Sequence, residues 1–269
     1  MQGKQVSAFV TVAAPETGPL KTLTAHDFAV REDNTPREVT GADLSTEPLS
    51  IAVLVITTTP PAGVTTSTQD LRTSLTNFVK TVLTASPDAQ ISLTDVSGHS
   101  VTTVDFTSKS DELDKGILKL VPNTQAGAVM NEALMTASKA LEGKPAPRRA
   151  IVSVNFNVPE VTSTEPKFVE EELHKSGATI WSISIYQSGT DPNQAPRREA
   201  VLNDMTTRSG GLHLQAFTPA VLDTLLRSIA NSLLSQYSIT YARPGNGTPK
   251  KITGEVTGGA KVLFSSFMR

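Results

Sequence analysis

The residues best placed to do chemistry follow the most apolar run of the chain. The stretch PLSIAVLVI, residues 48–56, has the composition of a strand buried on both faces, and it leads into TTTPP at 57–61. Loops at the carboxyl ends of buried parallel strands are where ligands bind in α/β proteins. The sequence therefore predicts a functional loop at 57–61, whose threonines offer only neutral hydroxyls.

No familiar catalytic or cofactor motif accompanies that loop. The sequence has no Gly-x-Ser-x-Gly elbow, phosphate-binding loop or Gly-x-Gly-x-x-Gly segment. The absence of cysteine excludes disulfides, thiol nucleophiles and cysteine-ligated metals. Four histidines fall on separate predicted elements without ligand spacing, and each is predicted to be a surface or strand-end residue: His26, His99, His174 and His213. The sequence therefore predicts no enzyme activity and no bound cofactor.

The overall charge excludes two further classes of partner. The 269-residue chain has a formal net charge of -2, which gives no long-range field to attract nucleic acid or an anionic membrane. Two basic pairs, Arg148-Arg149 and Arg197-Arg198, are interpreted as solvated ends of elements. No apolar run approaches the roughly 20 residues that a transmembrane helix needs. We therefore expect a protein partner.

Composition also favours an exported protein. Threonine and serine are abundant and there is one tryptophan, which is typical of exported bacterial surfaces. The first residues, MQGKQVSAFVTV, lack the charged and apolar regions of a signal peptide. We expect a secreted, periplasmic or cell-envelope location, with the export signal missing from this sequence.

Strand and helix patterns alternate from residue 48 to residue 235. Strands are predicted at PLSIAVLVI, AQISLTDV, SVTTVDF, RRAIVSVNF, ATIWSISIY and LHLQAF, and helical spacing separates most of them. One helix should stop at Gly177, another at Gly210-Gly211, and the last should begin at Thr218. Such alternation is typical of a parallel sheet with helices on both faces. We predict a doubly wound, mostly parallel, Rossmann-like α/β domain over residues 48–235.

The two ends of the chain have strand patterns only. In residues 1–47, VSAFVTVAA is strand-like and an Asp33-Asn34 turn separates two short strands. In residues 236–269, QYSITYARP alternates with period two, and KITGEV and KVLFSS are predicted to form a hairpin around 257–259. An isolated hairpin is marginal in water. We therefore predict that the two ends pair with each other in one small β module.

The order of these segments resembles the von Willebrand factor A (vWA)-related proteins common in acidobacteria. The resemblance rests on LTAHDFAVREDNTPREV, PLSIAVLVI, RRAIVSVNF, SGATIWSISIY, TRSGGLHLQAF and SQYSITYARP, in fixed order over most of the chain. It implies a vWA fold, whose typical members bind a divalent ion through a metal-ion-dependent adhesion site (MIDAS). That site uses an Asp-x-Ser-x-Ser loop, a Thr in a second loop and an Asp in a third, because Mg²⁺ prefers hard oxygen ligands.

The resemblance also implies that both carboxylate ligands are missing. The MIDAS positions fall on or near uncharged residues in this sequence: Thr57, Thr59, Pro61, Ala128 and Phe156. Three residues could supply oxygens nearby: Asn155, Asn157 and Glu160. Neutral oxygens with one offset carboxylate would hold Mg²⁺ poorly. We predict a degenerate MIDAS with no metal.

Three functions are open at this point. The first is a non-enzymatic protein-binding or scaffold domain that uses its top loops or its terminal β module. The second is a metal-dependent adhesion-type receptor with substituted ligands, and the third is a hydrolase or transferase with an unrecognised nucleophile and base. We predict the first, because the fold resemblance comes without any catalytic set.

The predicted partner-binding rim combines the two loops at the carboxyl end of the sheet. Its residues are Thr57, Thr58, Thr59, Pro60, Phe156, Asn157 and Glu160. We expect five of them in one exposed patch, because an aromatic side chain flanked by polar groups is suited to anchor a protein partner: Thr58, Pro60, Phe156, Asn157 and Glu160. The alternative is that Phe156 turns inward and fills the position of the absent metal. The exposure of Phe156 separates the two interpretations.

Overall fold

Thirteen strands and six α-helices make up the part of the chain that the computed structural model describes, which is residues 4–12, 23–58, 68–123, 127–186, 195–244, 252–257 and 262–265. The strands are β1 (Lys4–Val12), β2 (Phe28–Glu32), β3 (Thr35–Arg37), β4 (Val39–Leu44), β5 (Leu49–Ile56), β6 (Gln90–Val96), β7 (Ser100–Thr107), β8 (Arg148–Phe156), β9 (Thr179–Ile185), β10 (His213–Ala216), β11 (Gln236–Arg243), β12 (Ile252–Val256) and β13 (Val262–Phe264). The helices are α1 (Thr68–Ala85), α2 (Ser110–Lys119), α3 (Met130–Glu142), α4 (Pro166–Ser176), α5 (Pro196–Ser209) and α6 (Leu222–Leu234).

A mixed six-stranded sheet lies at the centre of the fold. Its strand order is β10-β9-β8-β5-β6-β7, and every neighbouring pair is parallel except β6 and β7. All eight residues of β5 are buried, as its composition predicts. β5 pairs with β8 from Leu49↔Arg148 to Val55↔Val154. The chain order reverses between these two strands, so their carboxyl ends form the switch point where α/β sheets bind ligands.

Helices cover both faces of this sheet. Leu93 and Thr94 are consecutive on β6 and therefore point to opposite faces. The Leu93 side chain lies against Gly116 of α2, whereas Thr94 lies in a groove beside Ala133 of α3. α1 packs against α2 and α6, and α3 packs against α4. The doubly wound α/β fold is thus confirmed, while 48–235 as the exact domain boundaries stays a prediction.

Two helix ends are fixed by glycine, as the sequence predicts. Gly177 after α4 and Gly210 after α5 have φ values of 65° and 79°, in the left-handed region that favours glycine. A Cβ on the next residue, Gly211, would lie 1.8 Å from the carbonyl oxygen of Ile180. The glycine pair therefore lets the end of α5 pack directly against β9.

No helix in the described part of the chain is long and apolar enough to cross a membrane.

The two ends of the chain form two antiparallel sheets. The larger has the order β13-β1-β11-β4 and the smaller β12-β2-β3. β1 pairs with β11 from Lys4↔Arg243 to Thr11↔Gln236, which confirms that the amino- and carboxyl-terminal segments share a sheet. The predicted hairpin of β12 and β13 is wrong, because β12 pairs with β2 and β13 pairs with β1. Each of these two strands completes a different sheet.

The terminal sheets have their own core, with a buried carboxylate at its edge. Val10 is fully buried in this core, and Glu32 is 2 % exposed. The Glu32 carboxylate accepts hydrogen bonds from Arg243 Nε at 2.6 Å, Arg37 Nε at 2.8 Å and Tyr241 Oη at 2.8 Å. Burial alone would raise the pKa of Glu32, but the hydrogen bonds from Arg243, Arg37 and Tyr241 lower it overall. The ionised carboxylate therefore ties three strands together.

Arg148 joins the central sheet to the terminal sheets. It begins β8 and is 4 % exposed. Its guanidinium donates to the carbonyl oxygens of Ser45 and Glu47, both at 3.1 Å, to Leu233 O at 2.6 Å and to Gln236 Oε1 at 2.9 Å. Burial lowers the pKa of Arg148 to about 10, so the side chain stays charged at neutral pH. The interpretation of Arg148 as a solvated strand end is therefore wrong, because four acceptors offset the burial of its charge.

Replacing Arg148 with methionine should destabilise the chain. Each buried carbonyl left without a donor costs about 1–3 kcal/mol, so we expect the free energy of unfolding to fall by about 3 kcal/mol, measured by urea denaturation. Arg31→Met, at an exposed position of β2, is the matched control and should change stability by less than about 0.5 kcal/mol. An unchanged unfolding midpoint for Arg148→Met would show that the two sheet systems do not depend on this side chain.

Candidate functional site

The candidate site lies where β5 and β8 end side by side. Thr57 follows β5, Phe156 is the last residue of β8, and both are buried. The Thr57 hydroxyl donates to Asp95 Oδ1 at 2.5 Å, and the Thr57 N–H donates to Val96 O at 3.3 Å. Burial raises the pKa of Asp95, and the hydrogen bond from Thr57 lowers it in part. Both the hydroxyl and the N–H of Thr57 are therefore bonded to the neighbouring strand β6.

Thr58 is turned inward in the same way. It is 2 % exposed, its hydroxyl donates to Gly127 O at 2.9 Å, and its backbone bridges to Asn123. Gly127 has a φ of 92°, and a Cβ there would lie 2.4 Å from Val161 Cγ1. The chain on both sides of 124–126 is thus held against Thr58. Three further residues of the predicted loop lie outside the described residues: Thr59, Pro60 and Pro61.

Phe156 fills the end of the sheet. Its side chain is 3 % exposed and lines a cavity of about 20 Å³ with Ile56, Thr57 and Leu71. A ring of this size gains free energy by leaving water for such an apolar pocket. The burial agrees with the alternative in which Phe156 turns inward. The predicted exposed patch is wrong for three buried residues: Thr58, Phe156 and Asn157. Thr57, the first residue of the rim, is buried as well.

Glu160 is the one carboxylate of the predicted rim, and its side chain is only 6 % exposed. Oε1 accepts a hydrogen bond from the backbone N–H of Asn131, in the first turn of α3, at 3.4 Å. Oε2 lies 3.8 Å from Arg198 Nη1 and has no hydrogen-bond partner among the described residues. Burial raises the pKa of Glu160 to about 7, although Arg198 and the N–H of Asn131 lower it in part. Glu160 therefore changes its charge near neutral pH.

Arg198 of α5 holds the end of β8. It is 1 % exposed, and its guanidinium donates to Val158 O at 2.8 Å and to Phe156 O at 3.0 Å. Carboxylate oxygens of Glu160 and Glu199 lie 3.8 Å and 3.7 Å from it. The interpretation of this basic pair as solvated is wrong for Arg198, because two carbonyls and two carboxylates offset the burial of its charge.

A histidine, a serine and a glutamate meet beside Arg198. His213 Nε2 lies 3.0 Å from Ser184 Oγ and 3.3 Å from Glu199 Oε2, and Nδ1 lies 2.9 Å from Asn203 Oδ1. His213 is the first residue of β10, as predicted for a strand-end residue, but its imidazole is only 3 % exposed. Burial lowers the pKa of His213, whereas Glu199 raises it in part. This cluster continues the polar edge from β8 to β10.

Ser184 and His213 are the residue types of a nucleophile and a base, but protein covers the serine hydroxyl. Ser184 is 2 % exposed, and its hydroxyl also donates to Glu199 Oε1 at 3.0 Å. A nucleophile must come within reach of a substrate carbonyl. In the described conformation this hydroxyl is enclosed by protein, so the geometry does not support acyl transfer.

The described residues do not fit a MIDAS-type magnesium site. The positions implied by the resemblance hold the Thr57 hydroxyl, which is already bonded to β6, the methyl group of Ala128 and the ring of Phe156. Asn155 is fully buried and directs its amide nitrogen into the sheet. Within the described ranges, no group of three or more Asp, Glu or His side chains could hold a metal ion. Mg²⁺ requires several hard oxygen ligands at once, and the described residues of this edge do not supply such a set.

The sequence contained a signal for Arg198 that the basic-pair interpretation missed. In α5 the buried residues include Arg198, Leu202, Met205 and Ser209. These positions recur at helical spacing, so Arg198 lies on the buried face of the helix while Arg197 does not. Asp95, Ser184 and Glu199 were also missed, because a strand or helix pattern does not show which polar side chains meet.

Comparison with known proteins identifies the fold. No protein-family model and no curated protein sequence matches this chain. Among solved structures, a von Willebrand factor type A protein from Catenulispora acidiphila is 10 % identical with a TM-score of 0.56, and the match covers 97 % of this chain and 72 % of that chain. The vWF domain of the type V pili tip protein Mfa5 from Porphyromonas gingivalis is 14 % identical with a TM-score of 0.53, covering 70 % and 96 %.

A third similar structure holds a metal at its MIDAS. Proximal thread matrix protein 1 from the mussel byssus, with a zinc-occupied MIDAS motif, is 11 % identical with a TM-score of 0.57. The match covers 76 % of this chain and 49 % of that chain. At these identities the similarity shows the fold alone, which is a vWA-like α/β fold.

Phe156→Ala should cost about 3–5 kcal/mol of unfolding free energy, because it leaves a cavity at the end of β8. Phe168→Ala is the matched control, since Phe168 is 42 % exposed on α4, and it should cost less than about 1 kcal/mol. Urea denaturation measures both. Equal losses for the two variants would show that Phe156 does not fill the core.

Glu160→Gln should remove a pH dependence of stability. The folded pKa of about 7 lies above the ordinary value of 4.5, so the native state binds more protons between these values and stability falls as pH rises through this window. Relative to Glu160→Gln, the wild type should lose about 3 kcal/mol between pH 4.5 and pH 7, measured by urea denaturation at several pH values. Glu165→Gln, at an exposed position, should leave the pH profile unchanged. A constant difference between wild type and Glu160→Gln would contradict the raised pKa.

Proposed function

We propose that this chain is a non-enzymatic protein-binding or scaffold domain of an exported bacterial protein, with a vWA-like fold and a degenerate MIDAS. One observation carries the proposal: a buried phenylalanine ring and an internally bonded threonine stand at the switch point, where the resemblance implies metal ligands. Without exposed carboxylates, recognition there depends on the shape and polarity of the surrounding loops.

The names of two similar structures support export of this chain by analogy. One is named as a pilus tip protein and another as a matrix protein of mussel byssus threads. A shared fold is a warrant by analogy only, so these names support a role in adhesion or assembly without fixing a partner. A secreted, periplasmic or cell-envelope location belongs to the same proposal.

Exposed aliphatic side chains at the carboxyl edge form the proposed contact surface. Val121 is 55 % exposed and lines the same cavity as Phe156, and Val161 is 51 % exposed and lies against Gly127. Apolar side chains at the centre of a polar rim contribute most to protein interfaces. The buried part of the rim predicted from sequence supports this surface from within: Thr57, Thr58, Phe156, Asn157 and Glu160.

The metal-dependent receptor is the alternative, and the described carboxylates do not favour it. Asp95 accepts the hydroxyl of Thr57, and Glu160 faces Arg198. A metal ion would have to displace both interactions and then dehydrate beside a fixed guanidinium charge. The hydrolase has one specific observation in its favour, the contact of Ser184 with His213, and the enclosure of that serine argues against it.

Val121→Asp and Val161→Asp should each weaken partner capture at least about tenfold, because a carboxylate in an apolar contact costs more than 1.4 kcal/mol. The immobilised chain would capture partners from the envelope and medium of the source organism, read by quantitative mass spectrometry. Val101→Asp is the matched control, at a 45 % exposed valine of β7, and it should capture normally.

Partner capture and the melting temperature of the chain should be equal in EDTA and in millimolar Mg²⁺.

Two outcomes would contradict this proposal. Capture that requires Mg²⁺, with a melting temperature raised by several degrees, would establish the metal-dependent receptor. Normal capture by both Val121→Asp and Val161→Asp would show that the partner binds another surface of the chain.

A further inference from the structure

A groove of about 470 Å³ lies between β7 and α3, on the face of the sheet opposite α2. Its floor consists of Ala52 and Leu54 of β5 with Ser92 and Thr94 of β6. The volume lies within the roughly 300–1,000 Å³ that is typical of small-molecule sites. All of its lining residues belong to described, regular elements or to the short turn after α3. The groove is therefore a built concavity and not a gap between loops.

Small side chains on α3 keep this groove open. The residues of α3 that line it are Ala133, Thr136, Ala137, Lys139 and Ala140. Three of these five residues are alanines, and a larger apolar side chain at any of the three would occupy the space above the sheet floor.

Hydroxyl groups on β6 and β7 line the groove. Thr94 Oγ1 and Thr102 Oγ1 lie 3.4 Å apart across β6 and β7. Ser92 is 4 % exposed and lines the groove beside Thr94. Each hydroxyl can donate and accept.

The charged residues around the groove have both signs. Lys144 Nζ lies 4.3 Å from the ring centroid of Phe106, and both residues line the groove. Lys139 and Asp105 also line the groove. Because both signs are present, the groove has no single-sign field that would select an anion.

The neighbouring sheet edge is unsuited to a peptide strand. β7 is the edge strand, and its pairing with β6 shifts register between Ile91 and Leu93 and again between Leu93 and Thr94. A peptide that adds to a sheet needs a regular row of backbone donors and acceptors, which bulges interrupt. The groove instead suits a ligand that brings its own hydroxyl groups.

We propose that this groove binds a neutral saccharide of one or two rings. A sugar ring has C–H faces, which match the apolar lining at Phe106 and Ala140. Its hydroxyls donate and accept, which matches Ser92, Thr94 and Thr102. This proposal is independent of the one made for the carboxyl edge, because none of the residues used here belongs to that edge.

Saturation-transfer NMR with free sugars tests the proposal, using glucose, galactose, mannose, N-acetylglucosamine, maltose, cellobiose and lactose as probes, together with a glycan array. Ala140→Leu fills the groove at an exposed helix position where leucine is well tolerated. Ala85→Leu, exposed on α1, is its matched control. We expect at least one sugar to bind, with at least about tenfold weaker binding to Ala140→Leu and unchanged binding to Ala85→Leu.

A second variant keeps the test valid if the leucine disturbs folding. Ser92→Ala with Thr102→Val removes two hydroxyls without adding volume, and Thr35→Val on β3 is its control. The double variant should also bind about tenfold more weakly. No binding on the array or in solution, or unchanged binding to Ala140→Leu, would overturn the proposal. Binding restricted to acidic sugars and abolished by moderate salt would also overturn it, since the lysines would then select the ligand.

Discussion

Two buried guanidinium groups hold the two ends of β8, and the arrangement of the surrounding chain depends on them. At the amino end, Arg148 takes three carbonyls and one amide oxygen from 45–47 and 233–236. At the carboxyl end, Arg198 takes the carbonyls of Phe156 and Val158. A charge without water must have such acceptors, so each arginine fixes the segments that supply them. The central sheet is thereby tied to the terminal sheets at one end and closed at the other.

Most of the secondary structure could be predicted from sequence because its signals are local. The continuous apolar run of β5, the left-handed glycines after α4 and α5, and the Asp33-Asn34 turn with φ values of 46° and 68° all act over a few residues. Strand partners are different, because they depend on contacts far apart in sequence. β12 and β13 have the pattern of a hairpin, yet each pairs with a strand more than 200 residues earlier.

The candidate site could be located but not described in advance. The switch point follows from the order of the strands, and the resemblance placed Thr57 and Phe156 there. Whether a side chain at such a point faces water depends on the depth of the apolar pocket beneath it, and Phe156 has Ile56 and Leu71 to pack against. The same limit applies to Arg198, whose charge predicts exposure although its position on α5 predicts burial. Arg198 is buried because the carbonyls of Phe156 and Val158, at the end of β8, accept hydrogen bonds from its guanidinium. This tertiary contact cannot be read from the sequence.

The pairing of the chain ends determines how a pulling force would travel through the molecule. β1 is hydrogen-bonded to β13 from Val10↔Phe264 to Val12↔Val262, and to β11 along most of its length. Tension applied to the chain before β1 and after β13 is therefore borne first by these backbone hydrogen bonds. The central sheet is inserted in the chain between β4 and β11, so it is not part of this direct connection between β1 and β13. The carboxyl edge and the groove both belong to the central sheet, so they lie away from the strands that a force on the chain ends would separate first.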